Sequence, residues 1–160
     1  MANSKNYGDG RVSWVEALTD SRSVRAIFGS LTPSLDGVVL HEARLHRDGP
    51  SVYLRFDFCE FPVDPPRKWA IMGYNTVQLE LCLTAVESVA ISGFSTASVI
   101  DLDISTYRCG EKTVVRARTS GTSTTHLDIV AGFAYVSKIS AYLKDPSSSC
   151  FVDVDENSDA

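Results

Sequence analysis

The chain has 160 residues, 44% of them apolar, a formal net charge of −5, and no apolar run near the roughly 20 residues a bilayer-crossing helix needs. That size and composition point to one folded domain around one hydrophobic core, and exclude a wholly disordered chain or a transmembrane helix. The charge is localised: Asp145, Asp153, Asp155, Glu156 and Asp159 supply all of the excess, so residues 1–144 carry 15 acidic and 15 basic groups. A neutral body without a Lys/Arg cluster argues against nucleic-acid binding, which depends on neutralising phosphates.

The opening MANSKNYGDGRVSW is polar and lacks the apolar segment of a secretory signal, so residues 1–12 read as a tail and the expected compartment is the cytoplasm. Ser13 and Glu16 have the S-x-x-E spacing of a capping box, which predicts a short helix from Trp14. A second helix is expected over residues 22–28, with Val24, Ile27 and Phe28 on one face and Gly29 as its stop; Pro33 ends any continuation.

Period-two alternation then takes over. Val39, His41, Ala43 and Leu45 share one parity, Arg47-Asp48-Gly49-Pro50 supplies turn chemistry, and Val52, Leu54, Phe56 and Phe58 alternate with Tyr53, Arg55, Asp57 and Cys59, which predicts a hairpin with one apolar face. Pro62, Pro65 and Pro66 fix φ and remove donors, forcing residues 60–67 into a loop outside any sheet interior. Trp69 either anchors that loop by burial or stands exposed as a binding anchor. Gly73 permits an unusual backbone turn, and Asn75 is expected to bond nearby backbone before the next strand.

Further strands are predicted over residues 76–84, 88–92, 99–105, 113–119 and 125–131, with a last one between Phe133 and Tyr142. A hairpin around Arg108-Cys109-Gly110 would set Asp103 opposite Arg116 and Asp101 opposite Arg118, with Ile100, Leu102 and Ile104 facing the core. The competing reading makes Asp101 and Asp103 a catalytic or metal-binding carboxylate pair. The segment DPSSSCFVDVDENSDA, residues 145–160, reads as an acidic, disordered tail, or alternatively as a segment that docks on a basic partner.

The expected fold class is therefore mostly β (α+β): an antiparallel sheet or sandwich of about 7–8 strands with one or two short N-terminal helices, forming a single globular domain over residues 13–144.

Chemistry-bearing motifs are sparse. His41-Glu42-Ala43-Arg44-Leu45-His46 is one residue too long for a zinc-protease signature; on a helix the two rings would diverge by about 140°, and on a regular strand they face opposite ways. Cys59, Cys82, Cys109 and Cys150 form no CxxC pair; they read as reduced thiols, although an even count permits disulfide pairing. No nucleophile elbow or phosphate-binding loop occurs, and His126 sits within an alternating strand. The residues point to no catalytic, cofactor-binding or metal site. Asp57, Glu60 and Asp64 are read as a small acidic patch beside Trp69, and these four are the candidate partner-binding residues.

One resemblance extends this reading. Pro33-Ser34-Leu35 with Gly37-Val38, His41-Glu42, Arg47-Asp48-Gly49, Leu54-Arg55-Phe56, the corner Pro65-Pro66-Arg67-Lys68-Trp69, Asn75-Thr76-Val77-Gln78-Leu79 and Val136-Ser137-Lys138-Ile139-Ser140-Ala141-Tyr142 together look like the immunity protein 50 family of bacterial polymorphic toxin systems. The resemblance spans about Trp14 to Tyr142. It implies a cytoplasmic bacterial protein, not an enzyme, that needs no cofactor or membrane and neutralises a cognate protein toxin by binding it. The alternatives are a small-ligand-binding or enzymatic β-domain with a pocket between sheet and N-terminal helices, and a structural domain of a larger assembly.

Overall fold

The computed structural model describes residues 12–145, arranged as six antiparallel strands closed into a barrel in the order β1-β2-β3-β6-β5-β4. The strands are β1 (Val38–His46), β2 (Ser51–Asp57), β3 (Thr76–Ser92), β4 (Val99–Cys109), β5 (Lys112–Ser120) and β6 (His126–Tyr142). A single 3-10 turn (Trp14–Ala17) and helix α1 (Arg22–Phe28) precede them, and helix α2 (Arg67–Met72) lies between β2 and β3.

The interior is built by alternation. Val52, Leu54 and Phe56 of β2 and Val77, Leu79, Leu81 and Leu83 of β3 point inward and are essentially inaccessible to water. Each such side chain contributes roughly 1.5–3 kcal/mol of hydrophobic stabilisation. Ile100, Leu102 and Ile104 of β4 are buried as expected. Phe58, just past β2, sits among the rings of Trp14, Phe28 and Phe56, with centroids 6.1, 5.4 and 5.5 Å away. The N-terminal elements thereby pack against the core, and the Trp14 indole N–H donates to the Pro33 carbonyl at 2.8 Å.

Six strands stand among the described residues where seven or eight were expected. The predicted strands 76–84 and 88–92 are one strand, β3; 125–131 and the final strand are likewise one, β6. Their ladder runs from Thr76↔Tyr142 to Ser92↔His126. The apparent breaks are a shared bend: Ala85 takes φ 50°, and a Cβ on Gly132 would lie 3.0 Å from that of Ala85. Glycine admits the close approach, so both strands bend without losing their pairing.

Other local expectations fared differently. Helix α1 has the predicted span, buries Val24 and is stopped by Gly29 at φ 66°. The capping box is not made: Ser13 bonds Thr32, while Glu16 takes the Arg25 guanidinium at 2.7 Å, leaving only a 3-10 turn. The β4–β5 hairpin turns on Gly110-Glu111, so its register moves by two residues: Asp103 faces Arg118, and Asp101 faces Ser120. Asp101 instead accepts the Gly37 N–H at 2.8 Å. Arg116 bonds Asp128 across to β6, at 2.9 and 2.6 Å. Residues 67–72, of which only Arg67 fell within the loop expected over 60–67, form α2, with Pro66 at its N-cap and Gly73 left-handed at its end. Pro66 suits this place because a helix start has no intrahelical partner for the missing N–H.

Candidate functional site

Two neighbouring regions hold the predicted site residues, and they differ in kind. The first is centred on Asp57, the last residue of β2, whose side chain is wholly buried. It lies on the outer side of the sheet, because Val52, Leu54 and Phe56 take the inner positions. What encloses it comes from elsewhere in the chain. His41 Nε2 lies 2.7 Å from one carboxylate oxygen, the Tyr142 hydroxyl donates to that same oxygen, and the Lys144 ammonium stands 3.7 Å from it. The Gln78 amide donates to the other oxygen at 3.0 Å.

A bulge in β1 aims the imidazole. The register slips between Leu40 and Glu42, so Val38 and Leu40 face the core, His41 and Glu42 both turn outward, and alternation resumes with Ala43 inward. The expected parity, with His41 beside Ala43 and Leu45, is thus broken at His41. The bulge also leaves His46 outward, contrary to the expectation of opposite faces. Asn75 secures the end of the cluster across the fold: its amide donates to the Lys144 carbonyl at 3.0 Å, and its carbonyl accepts the Lys144 N–H at 2.8 Å. These bonds join residues 69 positions apart, where only local backbone bonding was expected. A cleft of about 750 Å³ adjoins the cluster, lined in part by Val39, His41, Phe94, Tyr142 and Lys144.

The second region is the proline corner. Pro62 is buried and Trp69 half-buried, its ring centroid 6.5 Å from that of Phe61, so α2 is pinned to the loop by this aromatic contact. Trp69 packs against the core while keeping part of its surface in solvent. Val63 is 90% exposed and Leu31 69%, both lining one cleft with Phe61, and Ile71 of α2 is 72% exposed. Glu60 and Asp64 are both exposed; Glu60 accepts the Ser34 N–H at 3.1 Å, and neither carboxylate meets a cation among the described residues. Between α1 and this corner runs a cleft of about 480 Å³.

Asp57, Glu60 and Asp64 therefore do not form one acidic patch. Asp57 is enclosed in a polar cluster, while Glu60, Asp64 and Trp69 share the exposed corner. Sequence reading missed His41, Gln78, Tyr142 and Lys144 as partners of Asp57, because a bulge and a crossing C-terminal segment assemble them. It also missed the exposure of Leu31, Val63 and Ile71, which no local pattern signals.

Elsewhere the outer sheet face is internally paired. Arg44 stacks over the Tyr53 ring at 4.5 Å, and Arg55 bonds Glu42 at 3.1 Å. Cys82 lies buried between Tyr53 and Tyr135 across the strands; its thiol, as hydrogen-bond partner, raises both phenols, Tyr135 to about 12. The Arg116 guanidinium holds Asp128 below the ordinary carboxylate range. Among the described residues no group of three or more His, Cys, Asp or Glu has metal-binding geometry, and no helix is long and apolar enough to cross a membrane. Cys150 and the acidic tail beyond Asp145 lie outside the described residues.

A closed antiparallel barrel, with an exposed corner of apolar and acidic side chains and a separate buried carboxylate cluster, is the class of protein this geometry defines. The chain belongs to the immunity protein 50 family (Imm50), whose model matches residues 20–142. No curated protein and no solved structure matched it.

Proposed function

We propose that this chain is the immunity component of a bacterial polymorphic toxin system, acting in the cytoplasm by binding a cognate protein toxin and neutralising it through recognition, without catalysis. The observation that carries this reading is the family match over residues 20–142, which takes in both the barrel and the corner. The working unit is the domain over residues 13–144. Its contact surface is the corner of Glu60, Asp64 and Trp69 together with Leu31, Val63 and Ile71. Asp57 serves that surface from beneath, by holding the end of β2 from which the corner departs.

The physical support is compositional. A half-buried tryptophan is of the residue type enriched among binding anchors, exposed aliphatic side chains on the same corner can exclude water from its surroundings, and a complex of ordinary size would bury about 1,600 Å² in total. Co-expression with the toxin encoded beside this chain tests the reading: rescue of growth and a complex that survives gel filtration are expected. Unimpeded killing, with no complex, sinks it.

The cleft beside His41 favours one other reading, a small-ligand-binding or enzymatic β-domain, since an imidazole oriented by a buried carboxylate lines a concave site. Under it, a ligand bound there shifts the His41 ring resonances in NMR while leaving the corner amides unmoved.

A further inference from the structure

We infer that the cleft between α1 and the proline corner receives a basic side chain, arginine or lysine, of the toxin. The inference rests on the immunity reading and names the chemistry of its central contact. The walls of the cleft are mainly apolar, formed by Ile27, Phe28, Leu31, Phe61 and Val63, and among the described residues its charged lining groups are Glu60 and Asp64. A long aliphatic stem with a cationic end matches that distribution, since such side chains lay their methylenes on apolar surface and keep the charge at the rim.

Many acidic side chains already have a cation: Glu16 has Arg25 and Asp20 has Arg22 in the N-terminal segment, and on the barrel Glu42 has Arg55, Glu87 has Lys112, Asp103 has Arg118 and Asp128 has Arg116. Glu60 and Asp64 have none among the described residues, although Arg67 and Lys68 follow within a few positions; those two do not line the cleft. Asp36, Asp48, Asp101 and Glu111 also lack a cation among the described residues; Glu60 and Asp64 differ from them in standing together on the rim of one apolar cleft. Glu60 is also oriented, because one of its oxygens accepts the Ser34 N–H and the other is left available. A positioned carboxylate at the mouth of an apolar cleft costs less to engage than a mobile one. It strengthens a charge-assisted bond when a partner excludes water from the rim.

The test is the affinity of the full-length chain for the toxin encoded beside it, measured by calorimetry at two salt concentrations. Glu60→Gln and Asp64→Asn keep size and, for Glu60, the acceptor that meets Ser34. Each is expected to raise Kd at least tenfold and the pair to flatten the salt dependence, while Asp48→Asn and Glu111→Gln, exposed acids outside the cleft, change it less than twofold. Unaltered thermal unfolding of each variant excludes misfolding as the cause. Replacing the toxin's interfacial arginines and lysines one at a time by alanine should reveal one whose loss is not additive with Asp64→Asn. If Glu60→Gln and Asp64→Asn both bind within twofold of wild type, the basic-anchor inference is overturned while the immunity reading stands. Absence of any complex with the wild-type chain overturns both.

Discussion

Asp57 and Asp64 are seven positions apart and chemically identical, yet one is sealed in the barrel wall and the other stands in water. Asp57 occupies an outward position on β2, where a strand residue is ordinarily solvated. It is buried because the β1 bulge turns His41 over it and the chain leaving β6 lays Tyr142 and Lys144 across it. Asp64 lies in a loop that prolines keep out of the sheet, so no strand crosses it. Exposure of a carboxylate here is decided by what crosses the strand end, and the two regions divide the work into holding the structure and meeting a partner.

The sharpest way to break that division is at Asp57. Its replacement by alanine leaves the part-buried side chains of His41, Gln78, Tyr142 and Lys144 without their common acceptor, and losing the shared partner of such a hydrogen-bonded group costs about 1–3 kcal/mol. Urea unfolding of Asp57→Ala should show a loss of that order, with toxin affinity of the fraction still folded changed less than threefold. A large affinity loss in a variant of wild-type stability would instead make Asp57 a contact residue.

The corner should respond in the opposite sense. Leu31→Asp and Val63→Asp, both at exposed positions, are expected to alter stability by no more than about 0.5 kcal/mol. Each should weaken toxin binding tenfold or more, about 1.4 kcal/mol. Unchanged affinity in both would move the interface away from the corner.

Trp69 tests where the regions meet, since it packs on Phe61 and the core while remaining partly exposed. Trp69→Ala should cost about 1–2 kcal/mol in stability, less than the 3–5 of a fully buried aromatic, and should weaken binding as well. A loss confined to stability would make it purely architectural.

The smallest effect is expected on the far side of the barrel, at the half-exposed Arg116–Asp128 pair. Arg116→Ala should lower stability least of these variants, because solvent screens an exposed pair. Because Asp128 is held below its ordinary value, this contribution is fully present above about pH 4, the unfolded carboxylate range, and fades as pH falls through the lower folded value. NMR titration should show Asp128 moving up toward that range in the variant; no movement would remove Arg116 as the cause.

Much of the architecture was legible in sequence for identifiable reasons. The alternation of Val52, Leu54, Phe56 and Phe58 matched the sheet period, and the apolar spacing with Gly29 marked α1. Where pairing geometry intervened, sequence reading slipped. A two-residue turn moved the β4–β5 register by two, the bulge at His41 reversed a face, and the Ala85–Gly132 bend split two long strands into apparent pieces. Of the site, the corner's prolines and acids could be singled out from their types, but the partners of Asp57 could not.

By itself, then, the sequence determined a mostly antiparallel β-domain with a short N-terminal helix and a proline corner outside the sheet, because side-chain alternation and backbone restriction act within a few residues. Only the tertiary structure decided that the sheet closes into a barrel, that Asp57 is buried beneath His41, Tyr142 and Lys144, and that Glu60 and Asp64 stand on an apolar cleft with no cation among the described residues. Those outcomes depend on contacts between residues up to 85 positions apart, set by strand register, a bulge and one crossing segment, none of which leaves a local imprint on the chain.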